Sequence, residues 1–369
     1  MSAETLHARR GSGAAAPWAT LRFGSVGLAL AGARPAAADW ALRFLAPQFA
    51  LDEAPSAADA PDPVATLTFA DDRGALPAEP DDAEAIHVRR SASPFFTIAA
   101  RRWTDGDVEA VAAQDGTAFA FDRAARTIVV VVGDGARGGL ALVELIRDLV
   151  LKAVENAGAV VLHAAAVDAG GAAVLVVGGK GSGKSTTALE LVRHHGLALL
   201  SGDKVVVDDA GGELRVRGWP DYPHLGYATL RKHDGLTALA GVDPSAPAPE
   251  DHAFSATGKY AVDPFGFRTL LATVADGAPR PVAGLVLPAI GPGEGTALRA
   301  VDRADALATL RANVDSAFAG VPWNGYTERR PGDHGAHEAA LLRTLADRPA
   351  VRVEGPGDLA GLDLPRWRA

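Results

Sequence analysis

The chain has 369 residues, 48% of them apolar and 22% charged, enough for two ordinary domains with sizeable cores and unlike a disordered chain. It carries 36 Lys and Arg against 45 Asp and Glu, a net charge of −9, and no Lys/Arg-rich run stands out, which argues against a nucleic-acid partner. Cysteine is absent, so disulfides, thiolate metal sites and cysteine nucleophiles are excluded.

The first residues lack an apolar signal core, and no apolar run approaches the ~20 residues that cross a bilayer. The expectation is a soluble cytoplasmic protein with no membrane partner. Residues 1–17 are small and polar and read as a frayed terminus. Residues 19–30, ATLRFGSVGLAL, alternate as a strand. In residues 36–50, Trp40, Leu42, Phe44 and Leu45 fall at near-helical spacing. Residues 53–64 form a Pro/Ala/Asp loop, and VATLTFADD and IHVRRS beyond it predict strands. Residues 116–134 predict two strands joined at DRAAR, and residues 140–158 a long amphipathic helix ending at a glycine.

The texture then changes. Residues 159–177 predict two apolar strands around the turn DAGG, and mixed α/β patterning continues to about residue 350. The predicted fold class is α/β, with a smaller N-terminal α+β domain over 1–150 and a catalytic domain over 151–369. The N-terminal domain either recruits a substrate or makes a subunit contact.

The strand opening the second half runs into VLVVGGKGSGKSTTALEL, residues 174–191. Gly178, Gly183, Lys184 and Ser185 satisfy G-x-x-x-x-G-K-[ST], with a predicted strand before and a helix after. Glycines let backbone N–H groups turn toward one anion, and the helix start adds its positive end. Gly178, Gly179, Lys180, Gly181, Ser182, Gly183, Lys184, Ser185 and Thr186 are therefore the candidate nucleotide-binding residues. Lys184 reaches β/γ oxygens and the Ser185 hydroxyl joins a Mg²⁺ shell in this reading, so the implied cofactors are ATP and Mg²⁺. In the helix that follows, Leu189 and Val192 share a face, His194 and His195 lie at the negative end, and Gly196 can end it.

A strand carrying His163 just before the loop, and LLSGDKVVV after its helix, together resemble the HPr kinase/phosphorylase family, relatives of the PEP carboxykinases. The match covers roughly residues 163–207. It implies an HPr-kinase-like P-loop domain, an oligomer, and phosphoryl transfer to a serine hydroxyl. On it His163 takes the family's active-site His position, and Asp203 the base toward the acceptor, with a place in the metal shell. Gly202 stands where the family has a first Asp, and the family's Glu-Arg-Gly motif is not visible, which points to a kinase without the reverse reaction. The N-terminal half is similar in layout to divergent HPr-kinase-like proteins beside peptide natural-product genes, such as lasso-peptide kinases.

On their own residues, Asp203 either serves the site or caps a turn after Ser201 and Gly202, and His163 is either a site residue or a packed core histidine. Lys204 touches phosphate or solvent, and Asp208 and Asp209 fit a hairpin turn; the resemblance further implies that Lys259, where related kinases carry a basic residue after the core sheet, closes over the nucleotide. Residues 321–342 place Trp323, Asn324, Tyr326, Arg329 and Arg330 in one loop, which either holds an acceptor or packs Trp323 on the last helix. His224, His252, His334 and His337 lack metal-ligand spacing. The expected partner is a peptide, small-protein or small-molecule hydroxyl acceptor. A P-loop ATPase and a non-catalytic nucleotide-binding module are the rivals.

Overall fold

The computed structural model describes residues 16–53, 62–91, 96–210, 212–233, 235–243, 259–365 and 367. The fold is mixed α/β, and the chain divides into two compact units, Met1–Ala157 with Ala317–Arg330, and Gly158–Ser316 with Pro331–Ala369. Among the described residues no helix is long and apolar enough to cross a membrane. The predicted terminus over 1–17 and loop over 53–64 lie largely outside the described residues.

The first unit is a nine-stranded sheet in the order β3-β1-β2-β4-β9-β8-β7-β6-β5. Its strands are β1 (Ala19–Phe23), β2 (Val26–Gly32), β3 (Ala50–Asp52), β4 (Ala65–Phe69), β5 (Glu84–Arg89), β6 (Ile98–Asp105), β7 (Val108–Ala113), β8 (Ala118–Asp122) and β9 (Thr127–Val131). The one strand expected over 19–30 is a hairpin, because Gly24 adopts φ +58° and turns the chain between β1 and β2. The helices are α1 (Ala36–Leu45) and α2 (Gly135–Asn156). Gly139 on α2 leaves the space that the Trp40 ring of α1 fills; a Cβ there would overlap the indole.

The first unit runs to Ala157, because α2 is one continuous element and stays whole within it. Residues 317–330 also return to this unit rather than to the second. Trp323 packs at 5.8 Å from Phe119 and 6.0 Å from Phe121, on the strand β8. Asn324, fully buried, donates to Asp148 at 3.0 Å, and Arg329 pairs with Glu155 at 2.8 Å. These contacts add to the Lys152 pairing of Asp148 and the Ala317 N–H bond to Glu155, so both carboxylates on α2 are well satisfied.

The second unit is built on a sheet in the order β10-β14-β15-β18-β12-β11-β13, with β20 beside β18 and β19 beside β20. In chain order its strands are β10 (Val160–Leu162), β11 (Ala164–Asp168), β12 (Ala173–Val177), β13 (Ala198–Ser201), β14 (Val205–Ala210), β15 (Glu213–Gly218), a small pair β16 (His224–Gly226) and β17 (Lys259–Ala261), then β18 (Arg280–Ile290), β19 (Ala297–Ala300) and β20 (Ala350–Gly355). Its helices are α3 (Lys184–His195), α4 (Tyr227–Lys232), α5 (Leu236–Leu239), α6 (Pro264–Leu270), α7 (Arg303–Ala312) and α8 (His334–Leu345). The continuous apolar run AVLVV of β12 is explained by burial on both faces. Ala173, Leu175 and Val177 join a core with Leu310 of α7 and Leu342 of α8, while Val174 and Val176 meet Leu189 and Val192 of α3. β12 runs parallel to β18 and antiparallel to β11, so the strand before the loop is hairpin-like, as its sequence suggests.

Candidate functional site

The glycine loop leaves the C-terminal end of β12 and enters α3. Gly183 caps α3 at φ +102°, a conformation glycine adopts without strain, and an added Cβ would overlap Ile290. A Cβ on Gly178 would meet Ser182 Oγ at 2.6 Å, so the loop is folded tightly on itself. Ile290 N–H donates to Ser182 C=O at 2.9 Å and ties the loop to β18. No side chain caps the first turn of α3 among the described residues, which leaves its N–H groups for an external partner. Ser182 Oγ is buried and has no hydrogen-bond partner. Gly183→Ala is expected to add about 1–3 kcal/mol of backbone strain. Thermal denaturation checks this, with a lower Tm than wild type expected.

His163 and Asp203 meet because two strand junctions face each other. The expected first strand of the 159–177 pair is in fact two, broken at His163. β10 pairs with β14 as Leu162↔Val205, and β11 pairs with β12 as Ala164↔Val177 and with β13 as Ala166↔Ser201. His163 thus stands between β10 and β11, and Asp203 between β13 and β14. The His163 backbone N–H donates to Asn313 C=O at 2.8 Å, which fixes the break. On the other side, Ser201 Oγ donates to Trp219 C=O at 3.1 Å and accepts from its N–H at 3.2 Å, anchoring the turn that carries Asp203. His163 Nδ1 lies 3.4 Å from Asp203 Oδ1. Three strand ends, the start of β11 and the ends of β12 and β13, therefore converge, as they do around sites of open α/β sheets.

They open on a cavity of about 240 Å³ lined by His163, Lys180, Gly181, Gly183, Lys184, Ser185, Thr186, Gly202, Asp203, Thr229, Lys232 and Lys259, among others. Four lysines and one carboxylate give it a positive balance, and the α3 N-terminus adds to it. Lys184 is 8% exposed and donates to Gly178 C=O at 2.7 Å and Gly179 C=O at 3.2 Å. Burial first, and then the Lys259 charge, push its pKa down to about 8 against the opposing pull of Asp203. Burial also lowers the His163 pKa below its ordinary 6.5, against the pull of Asp203, so the imidazole is mostly neutral at pH 7. A buried, partly discharged lysine beside uncapped amides is an anion cradle waiting for counter-charge.

The structure brings together most of the residues singled out in the sequence. Lys180, Gly181, Gly183, Lys184, Ser185, Thr186, His163, Asp203 and Lys259 all line the cavity. Gly178, Gly179 and Ser182 shape the loop behind it. Thr186 is engaged with Thr229, their hydroxyls 2.7 Å apart. Lys204 is not in the cavity lining; it pairs with Asp315 at 2.5 Å. Asp208 pairs with Arg217, and Asp209 accepts from Gly212 N–H at 2.7 Å, so both serve the β14–β15 hairpin.

Other residues gave no sequence signal. Lys232 reaches the cavity from α4, donating to Pro356 C=O at 3.0 Å. Asp221 fills the room left by Gly202, where a Cβ would lie 2.8 Å from its Oδ2. A glycine at 202 thus leaves room for a carboxylate from another loop, whose charge also acts on Arg268. Against protein-family models and against curated proteins, the chain finds no match.

Proposed function

We propose that the second unit is an HPr-kinase-like P-loop domain that binds Mg·ATP and transfers the γ-phosphoryl group to a hydroxyl, a serine of a peptide or small protein. The observation that carries this reading is one cavity in which an uncapped helix start and four lysines meet the paired Asp203 and His163. The first set holds a polyanion; the second handles a hydroxyl proton. The fit to a nucleotide rests on the buried Ser182 Oγ without a partner and on the depressed pKa of Lys184, both of which anionic oxygens would relieve.

Bound Mg·ATP supplies the phosphoryl group and the neutralising metal charge. The backbone amides of residues 181–186 and Lys184 Nζ hold phosphate oxygens, and Lys180, Lys232 and Lys259 add positive charge around them. Ser185 and Asp203 offer oxygens to the metal. Asp203 also orients the acceptor hydroxyl and takes its proton, while neutral His163 holds that carboxylate in place through Nδ1. Lys259, exposed at the start of β17, closes over the phosphates.

The test follows the γ-phosphate. The full chain is incubated with Mg²⁺ and γ-labelled ATP, with and without cell extract, and labelled products are identified by mass spectrometry. Label on a peptide or protein serine is expected. Label on a metabolite would make it a small-molecule kinase. Label released only as free phosphate would make it an ATPase, and unchanged ATP a binding module.

A further inference from the structure

A second cluster of metal-binding side chains lies at the other end of α3. Glu190 and His194 are one helical turn apart, and Asp358 reaches them from the loop after β20; one ligand atom from each lies within 4.8 Å of the others. Glu190 is 3% exposed although it is a carboxylate. Its Oε2 lies 3.6 Å from His194 Nε2, and its Oε1 lies 3.7 Å from His233 Nε2, at the C-cap of α4. Both separations exceed an ordinary hydrogen bond of about 2.7–3.2 Å. They approach the ~3.4 Å between neighbouring ligand atoms around a tetrahedral ion with bonds of about 2.0–2.1 Å.

Charge points the same way. Glu190 and Asp358 bring two carboxylates together, and the ion pairs of Glu190 among the described residues are to imidazoles alone. A buried carboxylate is costly unless paired or bound to a cation. Leu359 N–H donates to Glu190 Oε2 at 3.3 Å, which positions the carboxylate without adding charge.

We infer that Glu190, His194 and Asp358 form a binding site for a borderline divalent transition-metal ion such as Zn²⁺. One nitrogen and two oxygen donors suit Zn²⁺ and leave a position for water. The ion pins the loop carrying Asp358 to α3. That loop begins at Pro356, which lines the cavity and accepts from Lys232. The site is separate from the nucleotide reading and stands without it.

The test is calorimetric titration of ZnCl₂ into the full, metal-stripped chain at pH 7, with Tm measured in parallel. One equivalent bound, with a raised Tm, is expected. His194→Ala and Asp358→Asn, at surface positions, lose at least tenfold in affinity. The cavity variant Asp203→Asn binds as wild type does. No stoichiometric binding by wild type, or wild-type binding by His194→Ala, overturns the inference. Loss of the ion in Asp203→Asn also overturns it, by placing the metal in the cavity instead.

Discussion

Lys184→Ala is expected to lower kcat/KM for phosphoryl transfer by about 10²–10³-fold, the size of effect seen when a preorganised charge-stabilising donor is removed. The expectation rests on where the ammonium sits. It is buried at the mouth of the loop, held by the Gly178 and Gly179 carbonyls, and directed at the cavity floor. Because those carbonyls lose a donor too, the variant's Tm must be measured beside its rate. A fall in rate with an unchanged Tm assigns the loss to the site.

The same lysine predicts a pH dependence. Its pKa in the free protein is about 8, lowered first by burial and then by Lys259. Below that value it is charged and holds phosphate; as pH rises through about 8 it loses its proton, so kcat/KM falls. For stability the sign runs the other way. The unfolded lysine binds its proton more tightly, so this group favours unfolding below about 8, and the penalty fades as pH rises toward the ordinary 10.5. A bound anion removes the penalty, so nucleotide raises Tm most near neutral pH. Lys259→Ala removes the like charge, and the alkaline break of kcat/KM moves upward.

Asp203→Asn is expected to leave Mg·ATP affinity within a few-fold of wild type while turnover falls by about 10²–10⁴-fold, the range for loss of a positioned general base. The amide keeps the shape of the side chain but takes no proton. It also removes the group that raises the His163 pKa, so this histidine becomes harder to protonate in the variant. In wild type, acidification through the lowered His163 pKa creates a cation 3.4 Å from Asp203, facing also Lys184, Lys204 and Asp315. That cation makes Asp203 a weaker base, so turnover falls on the acid side. The acid limb of the kcat profile, measured with saturating nucleotide, checks this.

The loop could be read from sequence because its information is local. Nine consecutive residues carry the turn, the amides, the ammonium and the hydroxyls, and the flanking strand and helix follow from simple periodicity. His163 and Asp203 could be named on resemblance, but their meeting could not be read. It depends on β10 and β11 splitting the predicted strand so that His163 falls at a junction opposite that of Asp203. Lys232 and Asp221 were silent, since each reaches the site from a turn or short helix whose own pattern says nothing of a distant loop. Residues 321–342 left two readings open, because the partners of Trp323 and Asn324, Phe119, Phe121 and Asp148, are distant in sequence and could not be read from the loop itself. Glu190 gave no signal either, because a carboxylate on an amphipathic helix reads as solvated until its burial is known.

The central claim is that the loop of residues 178–186 holds nucleotide phosphates through Lys184. The most direct measurement is calorimetric titration of Mg·ATP into the wild-type chain and Lys184→Ala at pH 7. Saturable one-to-one binding by wild type and at least tenfold weaker binding by a folded Lys184→Ala is the predicted result. Equal affinity in the two proteins, or no binding by wild type, would contradict it.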